Sequence, residues 1–76
     1  MTDHKEFLQF KKEKLNVKDE ILLYLEKEER SLAWLARKTE IPYGSLYSIF
    51  IHRIMVLSDV NLAKINRALD TDFINN

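Results

Sequence analysis

Residues 31–50 read SLAWLARKTEIPYGSLYSIF, from Ser31 to Phe50. At helical spacing this stretch gives two short amphipathic segments joined by a tight connection. Leu35, Ala36 and Thr39 fall on one face of the first. Leu46, Ile49 and Phe50 fall on one face of the second. Ile41 lies between them, where it can plug the angle. A small residue such as Ala36 lets two helices approach closely, and a turn of three or four residues then sets them at a steep crossing angle. The outer side of the second segment would then stand proud of the body. Ser31 suits the N-cap of a helix over Leu32–Lys38. Pro42 suits the first turn of the next, Tyr43 to about His52, because its missing N–H costs little there.

The flanking chain reads as more helix. One glycine and one proline in 76 residues argue for helices with short connections. Residues 3–14 form a candidate first helix, with Phe7, Leu8, Phe10 and Leu15 as its apolar contacts. Asn16 is a candidate N-cap for a helix from Val17 to about Glu28, with Asp19 and Glu20 in its first turn. Val17, Ile21, Leu22 and Leu25 share a face. Ser58 caps a last helix from Asp59 to about Leu69, with Val60, Leu62, Ile65 and Leu69 as its expected buried stripe. Phe73 and Ile74 are expected to fold back and close the core. The expected fold is therefore all-α, a compact bundle of about five helices in a single domain over residues 1–76.

Composition narrows the function classes. The chain has no cysteine, hence no disulfide and no thiolate metal site. His4 and His52 are far apart and share no metal-ligand spacing. There is no glycine-rich phosphate loop and no nucleophile motif. The expectation is a protein that is not an enzyme, with no cofactor and no metal. No apolar run approaches a membrane span and the first residues are charged, so the expected location is cytoplasmic, with no membrane partner. The acidic cluster Glu26, Glu28 and Glu29 reads as a solvated helix end.

The formal net charge is zero, which argues against a strong unspecific electrostatic grip on nucleic acid. Its distribution is uneven. Residues 31–57 carry Arg37, Lys38 and Arg53 against Glu40 alone, so this middle section is the only one with a net positive charge.

The order Leu35-Ala36, Ile41-Pro42, Leu46, Ile49 resembles the lambda-repressor-like (Cro/Xre-type) helix-turn-helix family. Leu62 to Leu69 looks like that family's closing helix, and the likeness spans about residues 17–73. Two positions depart from the family pattern. Glu40 stands where glycine is favoured for a left-handed turn. Leu32 stands where many members carry glutamine. The resemblance implies a helix-turn-helix over 31–52 and a small transcriptional regulator, such as a phage or mobile-element repressor. It would bind double-stranded DNA as a homodimer, with two recognition helices in successive major grooves about 34 Å apart. The implied DNA contacts are Tyr43, Gly44, Ser45, Tyr47 and Ser48 on the recognition helix, with Lys38, His52 and Arg53 toward the phosphates.

The family's loop after the recognition helix is generally polar, but here Ile49 to Leu57 is apolar. Ile49, Phe50 and Leu57 can be core. Ile51, Ile54, Met55 and Val56 cannot all be core in so small a domain. They are candidates for a dimer contact, for a protein partner, or for burial under Phe7 and Phe10. This opens a rival reading: a protein-binding module on the same scaffold, such as an antirepressor, an antitoxin-like partner or a defence inhibitor. Trp34, the only tryptophan, is expected to pack partly buried beside the core.

Overall fold

A computed structural model describes residues 16–75. The candidate helix at 3–14 lies outside the described residues, as does any cover that Phe7 and Phe10 would give. Four helices are described, against the five expected for the whole chain. They are α1 (Val17–Lys27), α2 (Leu32–Thr39), α3 (Tyr43–Tyr47) and α4 (Asp59–Leu69). No strand occurs among the described residues. None of the described helices is long and apolar enough to cross a membrane.

Three helices start on side-chain caps. The oxygens of Asn16, Ser31 and Ser58 accept from the backbone N–H groups of Asp19, Trp34 and Asn61, at 3.0, 3.0 and 3.1 Å. Each cap satisfies one of the N–H groups that a helix start leaves free. The helix ends are also built alike. Glu29, Glu40, Arg53 and Asp70 all have positive φ, between 57° and 64°. Each turns the chain out of a helix in the left-handed conformation that glycine usually supplies. The chain's only glycine occupies none of these corners.

Among the described residues the core is a single cluster. Val17, Ile21 and Leu25 come from α1, Leu35 from α2 and Leu46 from α3, and Leu62, Ile65 and Leu69 come from α4. Ile41, Ile49, Phe50 and Leu57 join it from the connections. Helix α2 packs against both α3 and α4, and α1 packs against the segment that continues α3. Trp34 is partly buried against this core.

Two expected core residues are outside. Val60 is 66% exposed and Ile74 is 77% exposed. Val60 lies two residues before Leu62, which on a helix is close to the opposite side. The Asn66 side chain explains Ile74. Its Nδ2 donates to the Phe73 carbonyl at 2.9 Å, and its Oδ1 accepts from Phe73 N–H at 2.9 Å and from the Thr71 hydroxyl at 2.8 Å. Phe73 is thereby held inward, edge-on to Tyr24 with ring centres 5.9 Å apart. Asn75 is held by the Leu57 carbonyl, and Ile74 between these two tethers faces out.

Candidate functional site

The turn between α2 and α3 is built from Thr39. Its side chain is buried, and its hydroxyl donates to the Leu35 carbonyl at 2.7 Å while accepting from Ile41 N–H at 3.2 Å. Glu40 follows at φ 64° and its N–H bonds to the Ala36 carbonyl at 2.8 Å. Ile41 drops into the core between the two helices. Pro42 then precedes α3 with φ −54°, close to the angle its ring imposes.

Helix α3 continues without a break into a π-helical turn, Ser48–His52. The wider turn ends where Arg53 becomes left-handed at φ 60°. The Ser48 carbonyl collects the N–H groups of Arg53, Ile54 and Met55. Leu46, Ile49 and Phe50 face inward and are buried. Tyr43 and Tyr47 face outward, 49% and 37% exposed. Their rings lie 5.9 Å apart, and His52 meets the Tyr47 ring edge-on at 4.9 Å. Gly44 is exposed beside Tyr43, while Ser45 and Ser48 are partly covered. The structure therefore brings Tyr43, Tyr47 and His52 into one aromatic row that carries no carboxylate, lysine or arginine.

The cations expected near this row have other engagements. Arg53 forms an ion pair with Asp19 of α1, and its Nε donates to the Phe50 carbonyl at 3.3 Å. Lys38 lies over the Trp34 ring at 5.9 Å, and Arg30 lies over the same ring at 4.6 Å. Lys38 also lines an open groove of about 560 Å³ with Glu40, Val60, Lys64 and Arg67. The spacing of Val60, Lys64 and Arg67 along one side of α4 could have signalled that groove in advance.

The second surface follows directly. Ile54 and Val56 are 77% and 82% exposed, and Ile51 and Met55 are exposed beside them. The loop is fastened at three points. Arg53 holds Asp19, the Lys18 ammonium donates to the Met55 carbonyl at 3.2 Å, and Leu57 is buried. Asp19 is legible only as a helix-start residue and Lys18 carries no signal at all, because nothing in the local sequence reveals what stands opposite them. No group of acidic or histidine side chains suited to a metal occurs among the described residues.

No family model, curated protein or solved structure matches the chain.

Proposed function

We propose that the chain is a small sequence-specific DNA-binding regulator. It uses residues 31–52 as a helix-turn-helix of the lambda-repressor-like type and binds its operator as a homodimer. The observation that carries this reading is the open outer side of α3, with Tyr43 and Tyr47 exposed on it. The turn that presents this side is fixed by Thr39, Glu40 and Ile41. A rigid, exposed helix after a tight turn is what insertion into a major groove requires. Glu40 takes the left-handed conformation despite its side chain, so its departure from the family pattern leaves the turn intact.

Among the described residues, phosphate contact near α3 falls to Lys38, His52 and, in exchange for Asp19, Arg53. Two or three phosphate contacts per protomer, doubled in the homodimer, give a slope of log affinity against log salt of about −4 to −5. The test is enrichment of sites from a random duplex pool, followed by titration at several salt concentrations. Lys38→Glu should weaken binding and flatten the slope. A pool from which nothing is enriched would remove this reading.

A second reading is favoured by the aliphatic loop. Exposed Ile54 and Val56 on a well-fastened loop suit a protein contact, whether a second copy or a different partner. On that reading the scaffold is an antirepressor, antitoxin-like or inhibitor module. Sedimentation of wild type and of an Ile54→Asp/Val56→Asp double variant tests the dimer arm.

A further inference from the structure

We propose that α3 reads thymine, through the 5-methyl group, at the base pairs beneath Tyr43 and Tyr47. The inference rests on the DNA-binding reading above and narrows it to a class of sequence.

Strong polar readout in the major groove uses arginine or lysine on guanine, asparagine or glutamine on adenine, and carboxylates on cytosine. None of these residue types occurs from Tyr43 to His52. Ser45 and Ser48 have hydroxyls that both donate and accept, so they separate the bases poorly. They are also partly covered. One apolar feature remains on the base edges, and that is the thymine methyl. The α3 face is matched to it. Two phenol rings stand 5.9 Å apart, between one and two base-pair steps of about 3.4 Å. The Tyr47 ring is braced by His52 at 4.9 Å, so it holds its place before contact.

Gly44 supplies a separate observation. A Cβ added there would meet nothing within 4 Å, and the residue does not have positive φ. The fold itself therefore has no need of glycine at this position, and a helix is weakened by it. What glycine does provide is a bare strip of backbone beside Tyr43, where a methyl group or sugar edge can approach closely.

The experiment starts from sites enriched by the full-length protein from a random duplex pool. Each thymine in a selected site is then replaced by deoxyuridine, which removes only the methyl. Affinity should fall about threefold to fivefold for each contacted thymine, the worth of one buried methyl group. The loss should persist in Tyr43→Phe and Tyr47→Phe, which keep the rings, and shrink in the matching alanine variant. Gly44→Ala should raise the melting temperature while lowering affinity. Enriched sites that ignore deoxyuridine would overturn the thymine assignment and leave DNA binding standing. So would a methyl effect that disappears in the phenylalanine variants. A pool without enrichment would overturn both.

Discussion

Two exposed surfaces lie next to each other in this chain and are built in opposite ways. The outer side of α3 is aromatic, sits on regular helix, and takes its direction from one buried threonine turn. The loop from Ile51 to Val56 is aliphatic and takes its position from α1, through Lys18 and Asp19. Phe50, almost wholly buried, lies in the chain between them. A surface on a helix repeats its side chains at fixed intervals and can be matched to another periodic object. An irregular greasy loop offers area without periodicity, which suits a shaped protein surface better than a duplex.

The strongest way to break the contrast is to hollow the core beneath the segment that joins the two surfaces. Phe50→Ala should cost about 3–5 kcal/mol and disturb both, read as a large fall in the denaturant midpoint. Separate roles are tested next. Tyr47→Ala should weaken DNA binding about tenfold, near the worth of one good contact, with little change in melting. Ile54→Asp/Val56→Asp should leave DNA contact by a single protomer intact while abolishing self-association. If instead both changes damage both properties, the surfaces form one site and the distinction is wrong. A smaller effect should come from Thr39→Val, which leaves Ile41 N–H without its partner. The expected loss is about 1–2 kcal/mol, with amide exchange rising at the turn before it rises in the loop. The smallest should come from Asp19→Asn. The ion pair with Arg53 is partly exposed, so less than about 1 kcal/mol is at stake. Exchange should quicken at Ile54 and Met55, and added salt should narrow the difference from wild type.

Much of the helical layout was legible because its signals are local. Asn16, Ser31 and Ser58 announce helix starts by side-chain chemistry that acts within three residues. The spacing of Leu35, Thr39, Leu46, Ile49 and Phe50 identified the inner sides of α2 and α3. The failures come from longer range or finer phase. Val60 is apolar and close to Leu62 in sequence, but helical phase puts the two on different sides. Ile74 is outside because the tethers act on its neighbours, Asn66 on Phe73 and Leu57 on Asn75, and neither is visible from the tail's own sequence. The π-helical turn after Tyr47 has no sequence marker of its own. The site was legible as a set of exposed residues on one helix. Its electrical neutrality was harder to see, because the commitment of Arg53 to Asp19 spans 34 positions in the chain. An asparagine in the middle of α4 was a usable hint. Such a residue favours turns over helix interiors, and Asn66 spends its amide on the tail.

That tail has a practical bearing. Asn75 is moored to the Leu57 carbonyl and to the Asp59 carboxylate, at 2.6 and 3.3 Å. Any reporter or affinity handle grafted just after it must therefore depart alongside the start of α4, next door to Val56. Labels placed there would crowd the aliphatic flank and spare the tyrosines, so an association lost on labelling at that point would say more about the label than about the chain.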